Sequence, residues 1–196
     1  LSDEEKFGKP EAFNIDKYFA LLPDEETFDI DYECDEDALK ANGLPHHTWL
    51  DNIDISNWEK SLKEAPENEF IPLLVNIAPS DLDRMVHNII NNAVVHGFTD
   101  PKRHDYNILI NLTVDSQRGM FQIDFRNNGN PLPKGMDKER FGIKGEKAGL
   151  TGGTGCGGNI IKNIVTHYGG DYDIFQDELS TVVRIWLPIA NNEYNS

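Results

Sequence analysis

The chain has 196 residues, which is enough for one domain, or one domain with an appendage, and enough to bury a core. Hydrophobic residues make up 38% and charged residues 27%, which excludes a fully disordered chain, and no apolar run approaches the roughly 20 residues of a membrane helix. The net charge of −16 repels DNA, RNA and anionic lipid, so no nucleic-acid partner is expected. Two cysteines and no visible secretory leader favour a reducing, cytoplasmic compartment.

Charge and glycine content divide the chain near residue 70. Residues 1–69 carry 20 acidic side chains, 6 basic side chains and 2 glycines, whereas residues 70–196 carry 14 acidic side chains, 12 basic side chains and 14 glycines. We therefore expect an acidic N-terminal extension of unknown role over 1–69, a folded domain over 70–190 and a polar tail over 191–196. Within the extension, short helices are predicted over 35–42 and 57–65.

From residue 70 onward the pattern of elements is clearer. An apolar run over 70–77 is typical of a strand, and Pro79, Ser80 and Asp81 open an amphipathic helix that ends at Gly97. Strands are predicted over 106–114 and 120–125, then a glycine-rich stretch, a helix over 159–168 and a closing hairpin of strands at 172–175 and 181–187. This order predicts an α/β fold, a two-layer sandwich with a mixed or antiparallel sheet.

Three polar side chains of the first long helix suggest a ligand site. Asn88, Asn92 and His96 are spaced by four residues and share one stripe of the helix. Asparagine is a mediocre helix former, and its amide oxygen is a hard, neutral ligand suited to Mg²⁺, which takes few protein ligands. An ordinary polar face is the alternative interpretation.

Two loops add to this pattern. The segment 126–133 follows a strand directly, and Gly129 would let backbone approach a ligand closely, although a simple turn explains the same residues. The run 152–158 precedes a helix, where exposed N–H groups bind phosphate. It is neither a Walker loop nor a dinucleotide-binding turn, because no Gly-Lys-Ser/Thr closes it and no strand-to-helix crossover contains it. A flexible glycine hinge is the alternative.

These elements, in this order, resemble the motifs of the histidine-kinase-type ATP-binding domain of the GHKL superfamily. The segment 87–96 resembles its N box, 121–133 its first glycine box, 153–170 its second glycine box and 182–188 its last strand. The resemblance covers residues 70–190. It implies the Bergerat-type ATP-binding fold, with helices on one face of the sheet, and the binding of ATP with Mg²⁺.

The resemblance also implies a role for each matched position. Asn92 matches the Mg²⁺ ligand, and Asn127 matches an aspartate that accepts a hydrogen bond from adenine, with Gly129 under the base. Asn88 matches the position of a glutamate base in the ATPase branches, and His96 a position near the phosphates. The phosphate-side loop comprises Gly153, Thr154, Gly155, Gly157 and Gly158, and the lid residues near the terminal phosphate are Arg140, Lys144 and Lys147.

Departures from the family pattern bear on the function. Asn127 keeps an acceptor oxygen but adds a donor, which could read a guanine-like carbonyl, and Pro131 replaces a family glycine. Without a glutamate at position 88, vigorous hydrolysis is not expected. The favoured function is phosphoryl transfer from ATP to a protein side chain, as in two-component signalling, in trans or in a longer parent chain. The alternatives are a non-catalytic nucleotide-binding or interaction module and, less favoured, a GHKL ATPase.

No phosphoacceptor histidine is evident. The pair His104-Asp105 lies in a loop before a strand, and His46 and His47 lack the acidic neighbour of the family motif. We therefore expect the phosphoacceptor domain, or a response regulator, to lie in another region or another protein that this sequence does not identify. Residues 134–151 are expected to act as a lid that nucleotide orders.

Overall fold

The computed structural model describes residues 6–47, 56, 70–143 and 157–193. Its strands are β1 Glu11–Asn14, β2 Asp29–Cys34, β3 Leu74–Ile77, β4 Asn107–Asp115, β5 Met120–Asn127, β6 Asp171–Gln176 and β7 Thr181–Pro188. Its α-helices are α1 Ile15–Ala20, α2 Glu36–Ala41, α3 Pro79–Asn92, α4 Lys138–Phe141 and α5 Gly157–His167. A π-helical turn, Ala93–Gly97, continues α3, and a 3₁₀ turn, Asn191–Glu193, follows β7.

The main sheet has five strands in the order β2-β4-β5-β7-β6. β2 runs parallel to β4, and every other neighbouring pair is antiparallel. Strand residues alternate between the two faces, so that Ile110 pairs with Phe125 and Phe125 pairs with Val183 on the buried face. The apolar stripes of α3 and α5 share one core with this face, which confirms the predicted α/β sandwich with a mixed sheet.

The sequence suggests Pro79, Ser80 and Asp81 as the start of the first long helix, but the N-cap is the residue before them. Ala78 is its N-cap, without a side-chain cap bond, and Pro79 supplies the fixed backbone angle of the first turn. Asp81 is 3% exposed and instead accepts a hydrogen bond from the backbone N–H of Gly8, 2.9 Å away, and another from the hydroxyl of Tyr168. The first turn of α3 is therefore tied to the N-terminal segment and to the end of α5.

Residues 6–47, the described stretch of the acidic extension, pack on the domain that follows it. β1 pairs with β3, and β2 adds a parallel edge strand to the main sheet. Between them, Phe19 of α1 is 1% exposed and packs edge-to-face on Phe125 of β5, with ring centroids 5.9 Å apart. Asp16 is 2% exposed and accepts hydrogen bonds from the Tyr32 hydroxyl at 2.7 Å and from the Ile71 backbone N–H at 3.0 Å. The strands and helices of residues 11–34 thus share hydrogen bonds and ring contacts with residues beyond position 70.

Other sequence predictions for the termini have mixed outcomes. The helix predicted over 35–42 is confirmed as α2, whereas the helix predicted over 57–65 lies outside the described residues. The predicted polar tail begins with Asn191, which is 5% exposed. Its side chain donates to the carbonyl of Pro72 at 2.6 Å and accepts from the N–H of Leu74 at 2.9 Å.

None of the helices in the described part of the chain combines the length and the apolar character that a membrane span requires.

We expect Phe19→Ala to destabilise the whole domain by about 3–5 kcal/mol, because it opens a cavity between the N-terminal segment and β5. Denaturant unfolding should show one transition, shifted to lower denaturant. Leu21→Ala is the matched control, since Leu21 follows the same helix but is 60% exposed, and it should change stability by less than about 0.5 kcal/mol. A wild-type midpoint for Phe19→Ala would mean that the extension folds separately.

Candidate nucleotide site

One cavity lies between α3 with its π-turn, the core face of the sheet, α4 and the first turn of α5. Its lining includes the following residues that the sequence predicts as functional: Asn88, Asn92, His96, Asn127, Arg140, Gly157 and Gly158. Gly129 lies two residues beyond Asn127, in the loop that follows β5. The predicted residues Lys144, Lys147, Gly153, Thr154 and Gly155 lie outside the described residues.

The amides of α3 lie directly against the N-terminus of α5. A Cβ atom at Gly157 would lie 2.9 Å from Asn92 Oδ1 and 3.4 Å from Asn88 Oδ1, so any side chain there would displace the amides. Asn88 is also fixed in orientation, because its Nδ2 donates to the Arg84 carbonyl at 2.7 Å. Two hard oxygen ligands and the N–H end of a helix therefore share one corner of the cavity.

A metal in this corner would need further ligands from phosphate and water. Among the described residues, no group of three or more His, Cys, Asp or Glu side chains could hold a metal ion. Mg²⁺ is commonly bound by one or two protein oxygens plus substrate phosphates, so the two amides fit it as part of a ternary site.

Elsewhere in the cavity, one buried polar side chain, that of Asn127, lies among apolar side chains. Asn127 is 8% exposed and lies at the end of β5. Its Oδ1 accepts the N–H of Gly129 at 3.2 Å, and its Nδ2 donates to the carbonyl of Thr181 at 3.5 Å. The surrounding walls are formed by apolar side chains of four strands: Ile108, Phe125, Ile174 and Val183. This combination suits a flat heterocycle with one polar edge.

A close backbone contact connects the π-turn to the loop after β5. A Cβ atom at Gly129 would come within 2.6 Å of the Gly97 carbonyl group, and one at Gly97 would come within 3.1 Å of Asn127 Oδ1. Asn130 reinforces the contact, because its N–H donates to the Gly97 carbonyl at 2.9 Å and its Nδ2 to Thr99 Oγ1 at 2.7 Å. The sequence predicts Gly97 only as a helix end, and its second role depends on a tertiary contact that no local pattern reports.

The short helix α4 forms another wall. Arg140 and Phe141 of α4 both line the cavity, and a Cβ atom at Gly158 would lie 1.9 Å from the Phe141 carbonyl oxygen. Gly158 is therefore required for α4 to approach α5. Of the described residues that line the cavity, Arg140 alone carries a permanent charge, which favours an anionic ligand.

Burial lowers the pKa of His96 below its ordinary 6.5. At neutral pH its imidazole is therefore largely uncharged. In this state it is a hydrogen-bonding group of the cavity rather than a second fixed cation.

Comparison with known proteins identifies the family. The family model described as "Histidine kinase-, DNA gyrase B-, and HSP90-like ATPase" matches residues 77–191, more than half of the chain. The chain belongs to this family. Residues 77–191 therefore form an ATP-binding domain of the histidine-kinase-like type.

A curated relative and two solved structures agree with this assignment. The sensor protein VanS of Enterococcus faecium is 26% identical over 134 residues, which cover 66% of this chain and 32% of VanS. The chain thus spans about a third of the length of that relative. A nucleotide-free catalytic domain of histidine kinase ThkA superposes with a TM-score of 0.59 at 15% identity, covering 92% of this chain and 96% of that chain.

Full-length ShkA, solved in complex with AMPPNP, superposes with a TM-score of 0.55 at 15% identity, covering 92% of this chain and 31% of that chain. At these identities, the two structural comparisons establish the fold. The predicted fold class and superfamily are confirmed.

We predict that NMR titration of the imidazole resonances, assigned with the variant His96→Gln, will give His96 a pKa below 6.5. Because the unfolded chain then binds the proton more readily, the stability that His96 contributes is complete above about pH 6.5 and is lost as the pH falls toward its folded pKa. His96→Gln should therefore lose less thermal stability than wild type between pH 7.5 and 5.5. A His96 pKa at or above 6.5 would contradict the expectation.

Proposed function

We propose that this domain binds ATP with Mg²⁺ and transfers its terminal phosphoryl group to a protein side chain, in trans or within a longer parent chain. The observation that carries the proposal is the contact of the Asn88 and Asn92 amides with the first turn of α5. Family membership and the similarity to VanS, a sensor protein, support a role in two-component signalling in the cytoplasm. The partner would be a phosphoacceptor domain or a response regulator.

In this proposal the cavity divides into a base end and a phosphate end. Adenine lies between the apolar walls with its polar edge at Asn127 and with Gly129 beneath it. The triphosphate lies at the N-terminus of α5, near Gly157 and Gly158. The resemblance assigns Gly153, Thr154 and Gly155 to the same phosphate site.

Residues around the terminal phosphate neutralise and orient it. Asn92 would hold Mg²⁺, which would neutralise phosphate charge, and Asn88 would orient ligands beside it. Lys144, Lys147 and Arg140 would contact the terminal phosphate from the lid, and His96 would donate a hydrogen bond near it. Because phosphoryl transfer depends on positioning and electrostatics, these residues need no covalent role.

The side chains of the cavity favour transfer over hydrolysis. Asn88 cannot act as a general base, since its amide accepts no proton at neutral pH, and no carboxylate is among the described residues that line the cavity. A water molecule beside Asn88 would lack a carboxylate to activate it. The same observation supports the second candidate, a non-catalytic nucleotide-binding module. Transfer of radiolabelled phosphate from ATP to an acceptor domain or response regulator, beside a binding measurement, distinguishes the two.

We predict that Asn92→Ala will weaken Mg²⁺-ATP binding at least about tenfold, since loss even of outer-shell partners of metals costs 10–100-fold. Binding of ATP in EDTA should change less than about twofold, because the nucleotide contacts remain. Calorimetric titration with and without Mg²⁺ measures both. Asn163→Ala makes the same change on α5 outside the cavity lining and should bind like wild type. Equal weakening with and without metal would contradict a metal-ligand role for Asn92.

We predict that Asn127→Asp will tighten ATP binding about fivefold, roughly 1 kcal/mol, because a carboxylate accepts a hydrogen bond from the adenine amino group more strongly than an amide does. GTP binding should weaken, since the carboxylate has no donor for the guanine carbonyl. The variant should also unfold at a lower temperature, because the new carboxylate oxygen faces the Thr181 carbonyl.

Asn128→Asp is the control for this substitution. It places the same charge one residue further along the chain, outside the cavity lining, and it should leave the ratio of ATP to GTP affinity unchanged. Weaker ATP binding with unchanged GTP binding in Asn127→Asp would show that Asn127 does not read the base.

A further inference from the structure

The helix α4 must be held in place by contacts outside itself. It has only four residues, Lys138–Phe141, and helices of that length have no independent stability in water. The N-cap bond from Arg140 N–H to Asp137 Oδ1, at 3.0 Å, is local to the turn. Yet α4 places Arg140 and Phe141 in the wall of the cavity. What anchors α4 therefore decides where these two side chains lie.

Its main polar contacts converge on Asp171 and Tyr172, the first two residues of β6. Lys138 Nζ donates to Asp171 Oδ1 at 2.7 Å, and the Tyr172 hydroxyl donates to the Lys138 carbonyl at 2.9 Å. The other carboxylate oxygen of Asp171 accepts from Arg118 Nη1 at 3.0 Å, so the turn between β4 and β5 orients the carboxylate. Tyr172 is 4% exposed, and Lys138 Nζ lies 5.1 Å from the centroid of its ring.

Gly142, the residue after α4, leaves room for the Tyr172 hydroxyl because it has no side chain. A Cβ atom at Gly142 would lie 2.3 Å from Tyr172 Oη, so a side chain there would displace the hydroxyl from the Lys138 carbonyl. On the opposite side, Asn159 Nδ2 of α5 donates to the Gly142 carbonyl at 3.1 Å. The end of α4 is therefore held between β6 and the first turn of α5.

Neither Asp171 nor Tyr172 lines the cavity, so neither touches a ligand there. We propose that Asp171 and Tyr172 are positioning residues, which hold α4 so that Arg140 and Phe141 close one side of the nucleotide site. This inference rests on the proposed nucleotide function. Burial alone would raise the pKa of Asp171, but the bonds from Lys138, the Tyr172 N–H and Arg118 outweigh it and lower that pKa, so the carboxylate that binds Lys138 is charged.

The test uses Tyr172→Phe, Asp171→Asn and the double variant, with the whole chain. Tyr172→Phe keeps the ring and removes only the hydroxyl. Asp171→Asn keeps the shape of the side chain but removes its charge and replaces one acceptor oxygen with an NH₂ donor. Asp173→Asn is the matched control, because Asp173 lies on the same strand and face and its Oδ1 accepts the Ile174 N–H. Two readouts are needed: the affinity for AMPPNP with Mg²⁺, and amide hydrogen exchange over residues 134–143 without nucleotide.

The double variant should bind AMPPNP about tenfold more weakly than wild type, since it loses one neutral and one charge-assisted hydrogen bond. Its exchange over 134–143 should be faster, whereas exchange in β4, β5 and β7 and the thermal midpoint should stay near wild type. Asp173→Asn should match wild type in both readouts. A purely structural role would lower the midpoint and speed exchange across the whole sheet.

Gly142→Ala gives an independent check of the geometry. In the wild-type background its Cβ atom displaces the Tyr172 hydroxyl, so exchange over 134–143 should speed up and affinity should fall as in Tyr172→Phe. In the Tyr172→Phe background the same substitution should add little, because the hydroxyl is gone. The other close atoms are Cδ of the flexible Lys162 side chain, at 2.9 Å, and the ring Cζ of residue 172, at 3.4 Å. Additive losses would contradict the proposed contact.

The inference is overturned if the double variant keeps wild-type exchange over 134–143, or if exchange speeds up while AMPPNP affinity stays unchanged. Failure of the wild-type protein to bind AMPPNP would instead contradict the proposed nucleotide function. The exchange readout would then still decide whether Asp171 and Tyr172 anchor α4.

Discussion

The candidate site depends on one close approach, that of the first turn of α5 to the two amides of α3. It is possible only because residue 157 has no side chain, since a Cβ atom there would lie 2.9 Å from Asn92 Oδ1. The helices reach this distance because their apolar stripes share a core with the same sheet face. Glycine weakens a helix interior by about 1 kcal/mol relative to alanine, so helix propensity gives no reason to place it here. The close approach of the Asn92 and Asn88 amides does, because a Cβ atom at residue 157 would crowd them.

The helices and strands that could be predicted are those whose apolar residues recur at the period of a helix or a strand and are buried in the structure. α3, the hairpin of β4 and β5, and the hairpin of β6 and β7 were predicted within a few residues, because each has an apolar stripe or an alternating pattern. β2 was not predicted. Its inward residues Ile30, Tyr32 and Cys34 alternate with acidic residues, and in so acidic a segment the alternation was not recognised as a strand. β1, α1 and α4 are four to six residues long and depend on tertiary contacts that no local pattern reports.

Seven of the residues named as functional from the sequence line one cavity, but the contacts that build this cavity were not predicted. The spacing of Asn88, Asn92 and His96 placed them on one helix face, and the resemblance to the GHKL motifs supplied Asn127 and the glycine loops. Neither could supply the contact between Gly97 and Gly129 or the anchoring of α4 on β6, because each joins residues more than 30 positions apart. These contacts can be identified only once the relative positions of the strands, helices and loops are known.

The distribution of charge reconciles a strongly acidic protein with an anionic ligand. The outward carboxylates of β2 are held by donors on β4, with Asn107 Nδ2 2.6 Å from Asp31 Oδ2 and Asn111 Nδ2 3.1 Å from Glu33 Oε2. These groups lie on the sheet face opposite the core. The cavity on the core side has apolar walls, and its described polar side chains include amides, His96 and Arg140 but no carboxylate. At physiological ionic strength a charge acts over about 8 Å, so the local lining outweighs the net charge of −16 for a bound ligand. For the proposed protein partner, the net charge would act at longer range during encounter, where it would favour a basic docking face.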